Sequence, residues 1–383
     1  MGAPELAANK PPQPLASGHR IVDVTAHCLR LPYRGEVQFA RMQQASAEYS
    51  ILVVTLDDGT EGIAEAVCRP EFTGEDSRSI AYMIDTFFKP MVVGADPLHH
   101  LAMLDRLDRI RDCRAAKSLI DVALWDLRGK LLGEPVWRLL GGGPAKPVPL
   151  TWVAHGNTRE AMLAEARAMV LERGYKGLKL KVWKRSDEDV ALVRDVREAV
   201  GDDLTLYVDA NSKYTEFEAR TILSKIADYR VDFIEDPCWS ADLARMAMLA
   251  QALPIAILGD LHCNSLTAVQ AHLSARAVGG ISVKLRRTGI TESVKIIALC
   301  EAAGIPMVIG TDSESRIGAM PRVHLRMAIP SLADAPIETH FFDKLSGDVF
   351  AGDFGFKDGA ITPTDAPGFG VAIDRRMLET FSF

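Results

Sequence analysis

The chain reads as an α/β protein built on an eight-stranded (β/α)7β barrel, with a smaller α+β domain ahead of it. Three observations predict this. Apolar strands in the second half close on charged residues: GLKLKV with Lys179 and Lys181, LTLYVDAN with Asp209, VDFIEDP with Glu235, AILGD with Asp260, GISVKL with Lys284. Counted from Lys181, the steps are 28, 26, 25 and 24 residues, the length of one strand, one helix and two short loops. And at 383 residues the chain exceeds the size at which a single core usually divides, so two domains are expected.

The first 19 residues, MGAPELAANKPPQPLASGH, are rich in Ala and Pro and lack the apolar centre of a signal peptide. They predict a flexible tail. Residues 20–145 form the expected N-terminal domain. RIVDVTAHCLRL and SILVVTLDDGTEGIAEAV alternate apolar residues around Asp57-Asp58-Gly59, a hairpin signal. The polar and aromatic stretch of residues 32–50 is too long for a tight turn. It predicts a loop that closes over the barrel mouth, where Tyr33, Arg34, Phe39 and Arg41 would meet substrate. Residues 76–140 carry helical periodicity, clearest in AAKSLIDVALWDLRGKLLG, where Ile120, Ala123, Leu124, Leu127 and Leu131 share a face. Gly133 ends that helix, and Gly141-Gly142-Gly143-Pro144 marks the junction.

Residues 146–350 form the expected barrel. Its strands are VPLTWVA, GLKLKV, LTLYVD, DFIED, IAILGD, GISVKL, PMVIGT and PIETH, separated by helices such as DEDVALVRDVREAVG and ITESVKIIALCEAAG. Residues 351–383, with DGAITPTDAPGFGVAID, read as a short hairpin outside the barrel that returns to the N-terminal domain.

A formal net charge of −7, from 44 basic and 51 acidic residues, leaves no basic footprint for nucleic acid. No apolar run approaches the roughly 20 residues that span a bilayer. The six cysteines are scattered without a CxxC pair, as expected of packed thiols in a cytoplasmic protein.

In a closed barrel every strand's carboxyl end opens on one face, so Asp209, Glu235 and Asp260 should converge there. Three close carboxylates resist joint ionisation unless a cation compensates. Oxygen ligands without His or Cys suit Mg²⁺ or Mn²⁺. Lys179 and Lys181, two apart on one strand, point to the same side, and Lys284 faces them from four strands round. A base on each side of a chelated substrate is a device for removing and returning a proton. The acid it suits is a small-molecule carboxylate, which on losing its α-proton to the base becomes an enediolate that a divalent ion stabilises.

These motifs resemble the enolase superfamily and, within it, the muconate lactonizing enzyme subgroup. IDVALWDLRGKLLG resembles the signature helix of the family's capping domain, and DGAITPTDAPGFGVAID its tail. The use of Lys bases with Mg²⁺ is a known property of that superfamily. The resemblance implies a modified TIM barrel (β/α)7β with an N-terminal α+β capping domain. It makes Asp209, Glu235 and Asp260 the metal ligands, Lys181 and Lys284 the acid/base pair, and Lys179 an electrostatic helper. Glu314 and Glu338 fall at the mouths of the seventh and eighth strands, where they are either substrate contacts or solvated surface. A homo-oligomer, from dimer to octamer, is the expected assembly.

The chain departs from the family pattern in places. Leu261 stands where an acid usually follows the third ligand, which would deprive Lys284 of a partner. Arg287-Thr288-Gly289 replaces a glycine pair. No Asp-x-Asp lies near the eighth strand, against a dipeptide epimerase, and Thr311-Asp312 stand where mandelate-racemase-like members have a His-Asp dyad. His262 reads as incidental. The expected reaction is cycloisomerisation of the muconate type or racemisation or epimerisation of an amino acid derivative. Dehydration of a hydroxy acid or hydroxyproline-like substrate is the alternative, and a non-catalytic binding barrel is the rival class.

Overall fold

A computed structural model describes residues 17–39, 42–332 and 335–383. Most of the predicted tail, and Arg41, lie outside the described residues. Strands β1 (Ile21–Phe39), β2 (Met42–Leu56) and β3 (Glu61–Val67) form an antiparallel sheet in the order β1-β2-β3. The expectation of an irregular loop over residues 32–50 is corrected here. The two strands stay paired through Leu31↔Ala47, Pro32↔Ser46, Val37↔Gln44 and Phe39↔Met42, with one register irregularity between Pro32 and Val37. Tyr33, Val37, Ala47 and Tyr49 are buried while Arg34, Glu36 and Gln43 face outward. The alternation is real but is partly carried by small and polar residues, which conceals it from a hydrophobicity count. The extended hairpin is strapped to the far end of the chain: the Arg34 N–H donates to Lys344 O at 2.8 Å, and the Ser346 N–H to Pro32 O at 2.9 Å.

Behind the sheet lies the helix Arg114–Leu132, closed by Gly133 at φ 68°, the left-handed conformation that favours glycine. It approaches β3 so closely that a Cβ on Gly62 would sit 2.4 Å from Ala123 O. Within it the buried Asp126 accepts from Ile63 N at 3.0 Å, Phe369 N at 2.9 Å and Lys130 Nζ at 2.7 Å. One carboxylate thus ties the helix to β3 and to the C-terminal segment.

The eight barrel strands are β4 (Val148–Val153), β5 (Gly177–Lys181), β6 (Thr205–Asp209), β7 (Phe233–Glu235), β8 (Ala256–Gly259), β9 (Gly280–Val283), β10 (Met307–Ile309) and β11 (Ile337–Glu338). Strands β4 to β10 pair in sequence order as parallel neighbours, and β11 pairs parallel with β4 on its other side. The Thr311 N–H donates to Glu338 Oε2 at 3.1 Å, bridging the ends of β10 and β11. Leu178, Leu180, Leu206, Val208 and Ile234 are wholly buried, each worth about 1.5–3 kcal/mol of apolar burial. The register aligns Lys181 with Asp209, and Asp209 with Glu235, so these strand-end groups form one row. The C-terminal segment pairs Ile361 with Val148 and then meets the first sheet through a Leu29↔Ser382 bridge and an Arg375–Glu61 ion pair.

Candidate active site

A cavity of about 440 Å³ opens at the carboxyl ends of the strands. Lys179, Lys181, Asp209, Asp260 and Lys284 line its floor, and Phe72, Trp183, Trp239, Leu261 and Phe341 supply apolar wall. Each carboxylate of the predicted triad is met by a lysine. Lys181 Nζ lies 2.5 Å from Asp209 Oδ2 and donates to Asn211 Oδ1 at 3.1 Å. Lys179 Nζ sits among three carboxylates, 2.8 Å from Glu338, 2.9 Å from Glu235 and 3.8 Å from Asp209. Lys284 Nζ donates to Asp260 Oδ2 at 2.8 Å and stands 3.8 Å from Asp312 Oδ1.

Burial and charge act against each other here. Burial lowers the Lys179 pKa, but Glu235, Glu338 and Asp209 outweigh it and hold the ammonium well above its usual value. Lys284 is likewise lowered by burial and raised on balance by Asp260 and Asp312, against Arg287. Burial raises Asp260, but Arg287 and Lys284 bring it below the usual carboxylate range. Glu235 stays well above its usual range because desolvation outweighs Lys179. Asp236, which follows it, is pushed to about 7 by burial and by Asp260.

The donor set fits a divalent cation. Asp209, Glu235, Asp236, Asp260, Asp312 and Glu338 are six carboxylates, against the four cations Lys179, Lys181, Lys284 and Arg287, all of them buried or nearly so. The excess is two negative charges, which a divalent cation would balance. The ligand oxygens are not gathered to a point. Among the described residues, the group whose ligand atoms all lie within 4.8 Å is His19, Asp57 and Asp58 at the β2–β3 turn. In the barrel the lysines stand between the carboxylates instead.

The structure brings Lys179, Lys181, Lys284, Asp209, Glu235 and Asp260 together. Glu314 and Glu338 are buried beside this group but do not line the cavity. Glu314 pairs with Arg322 and accepts from Thr311 Oγ1 at 2.7 Å and Asp312 N at 3.0 Å, so it braces the loop after β10. Glu338 is taken by Lys179, Tyr207 Oη and Thr311 N. Both are buried, which corrects the reading of solvated surface, and both brace the site through these partners. Phe39 lies in β1, with its side chain outside the described residues, as is all of Arg41. His262 lies against Trp239 and Ser240, outside the cavity lining.

Sequence reasoning missed several members. Asp236, at φ 36°, accepts from the N–H groups of Asp260 at 3.1 Å and Leu261 at 2.8 Å, fixing the backbone at Asp260. Its only signal was its position after Glu235. Arg69 lines the cavity and donates to Tyr33 Oη at 3.1 Å, Gln44 Oε1 at 3.0 Å and Asp312 O at 3.3 Å, joining the hairpin to the barrel. Nothing in its sequence neighbourhood marks it.

Fold and site together define an α/β-barrel enzyme with a cluster of carboxylates flanked by lysines at the barrel mouth. Residues 161–377 match the family described as Enolase C-terminal domain-like, and residues 21–141 the Mandelate racemase / muconate lactonizing enzyme, N-terminal domain. The chain belongs to the enolase superfamily, in its muconate lactonizing enzyme subgroup. It is 26% identical over 363 residues to N-succinyl-L-Arg/Lys racemase from Bacillus cereus, covering 94% of this chain and 97% of that protein. With chloromuconate cycloisomerase from Cupriavidus necator it shares 28% over 318 residues, covering 82% and 86%. Muconate lactonizing enzyme from Pseudomonas fluorescens, solved with muconolactone, superposes with a TM-score of 0.90 at 26% identity, covering 95% of this chain and 99% of that one. Among the described residues, no helix is long and apolar enough to cross a membrane.

Proposed function

We propose that this chain is an isomerase that removes and returns a proton α to a substrate carboxylate, with Lys181 and Lys284 as the two acid/base groups. One observation carries the reading. The two lysines arrive from β5 and the end of β9, four strands apart in the sheet order, and line the same cavity. Asp209, Glu235 and Asp260 are the residues that would hold Mg²⁺ or Mn²⁺, which when bound supplies Lewis-acid stabilisation of the enediolate charge. Lys179, fixed between Glu235 and Glu338, remains a cation beside that charge. In the arrangement described, Asp260 and Asp312 keep Lys284 as the ammonium, the form that returns a proton. The apolar wall excludes water and strengthens these interactions. The named relatives are cycloisomerases and racemases, which favours isomerisation over loss of water.

The test is α-proton exchange in deuterated water, screened over N-acyl amino acids, proline derivatives and muconates, with the single variants Lys181→Ala and Lys284→Ala. A racemase loses exchange with one enantiomer in each variant. A cycloisomerase loses turnover chiefly through one lysine. Near-native exchange on a true substrate in both variants would refute the mechanism.

A further inference from the structure

We infer that Asp312, held in place by Arg287, is the residue that positions Lys284 in this chain, taking over from the acid that Leu261 replaces. The inference rests on Lys284 being one of the two acid/base groups. Among the described residues, two carboxylates approach Lys284 Nζ: Asp260 Oδ2 at 2.8 Å and Asp312 Oδ1 at 3.8 Å. Asp260 is a candidate metal ligand, so a bound cation would compete with Lys284 for its oxygens. Leu261, next in the chain, presents an apolar side chain to the cavity and offers no acceptor there. Asp312 is the carboxylate that remains.

The end of β10 supports Lys284 along its whole length. At Gly310 an added Cβ would meet Lys284 Cε at 2.9 Å and Cγ at 3.1 Å, so the lysine's methylene stem lies against bare backbone. Two residues on, Asp312 faces the lysine's head. It lines the cavity with its side chain 10% exposed, and its Oδ2 is buried with no hydrogen-bond partner among the described residues. A buried carboxylate oxygen without a donor is costly. The spare acceptor stands on a carboxylate already within 4 Å of an ammonium that has three protons to donate.

Arg287 explains how Asp312 is kept there. Its Nη2 lies 3.6 Å from Asp312 Oδ1, and its Nη1 donates to the backbone carbonyl of Asp260 at 2.7 Å. The second bond anchors the guanidinium to main chain, independently of what the Asp260 side chain binds. Arg287 and Asp312 are two of the positions at which the sequence departs from the family pattern. The structure brings them together at Lys284, with Arg287 and Lys284 both approaching Asp312 Oδ1.

The test uses Asp312→Asn, which keeps shape and removes charge, and Asp312→Asn combined with Leu261→Glu, which returns an acid from the other position. With metal present, exchange through Lys284 should fall by about 100-fold in Asp312→Asn, the scale of a misplaced reacting group. Exchange through Lys181 should stay within about threefold, and the double variant should recover most of the Lys284 arm. Crystals soaked with Mg²⁺ give a readout apart from activity. Wild-type Lys284 Nζ should lie at about 2.7–3.2 Å from an Asp312 oxygen, and should leave that place in Asp312→Asn. Equal loss through both lysines, retention of the Lys284 arm, or a metal-loaded structure with Lys284 turned away from Asp312 would overturn the inference. If no substrate exchanges at all, the proposed function fails, and the Mg²⁺-soaked structures still decide the position of Lys284.

Discussion

Replacing Lys179 by methionine removes the one ammonium that Glu235 and Glu338 share, at 2.9 and 2.8 Å, in a place 2% exposed to solvent. Removing one partner of a buried ion pair costs about 3–5 kcal/mol, because the remaining charge has neither water nor a counter-ion. Against a total stability of about 5–15 kcal/mol, that is a large fraction. The loss is relieved where Glu235 can take a proton. Burial already holds its pKa well above the usual 4.5, and without Lys179 it rises further. Between the wild-type and variant pKa values of Glu235 the native variant binds more protons than the native wild type, so its deficit grows as pH rises through that window. The deficit relative to wild type should therefore be no smaller at pH 8 than at pH 5, with an upper value of about 3–5 kcal/mol where Glu235 is ionised. Urea unfolding followed by far-ultraviolet circular dichroism at both pH values measures it. Adding Mg²⁺ should restore part of the loss if the cation binds the native site, by mass action. A deficit below about 1 kcal/mol at pH 8 with unchanged denaturant slope would refute the reasoning.

Glu235→Gln should leave the fold intact and abolish metal-dependent exchange, with Mn²⁺ binding by electron paramagnetic resonance lost in parallel; retained binding would remove Glu235 from the ligand set. Glu65 is raised from 4.5 to about 8 by burial, with Ser315 as its hydrogen-bond partner. The native state keeps that proton after the unfolded chain has lost it, so stability should fall by a few kcal/mol between about pH 4.5 and 8. Glu65→Gln should flatten this dependence in urea titrations across the same range.

The barrel and the six chemical groups at its mouth were legible in the sequence because both follow from short-range rules. A strand of period two that ends in a charge, repeated at the length of one βα unit, places each charge at the same level of a parallel sheet. Register then does the rest, as in the row Lys181, Asp209 and Glu235. The hairpin of residues 32–50 was misread for the opposite reason. Its pairing is set by cross-strand neighbours and by Lys344 and Ser346, more than 290 positions away, and its own residues advertise neither. From their places at strand ends, Glu314 and Glu338 read equally as substrate contacts or as solvated surface. Only packing revealed that Arg322 and Lys179 had already claimed them. The same holds for Asp312 and Arg287, which appear in the sequence as isolated departures. The sequence by itself determined which charges reach the cavity, because strand periodicity is local. The tertiary structure decided which of them touch, because a carboxylate's partner depends on distances of a few ångströms between segments that no local pattern relates.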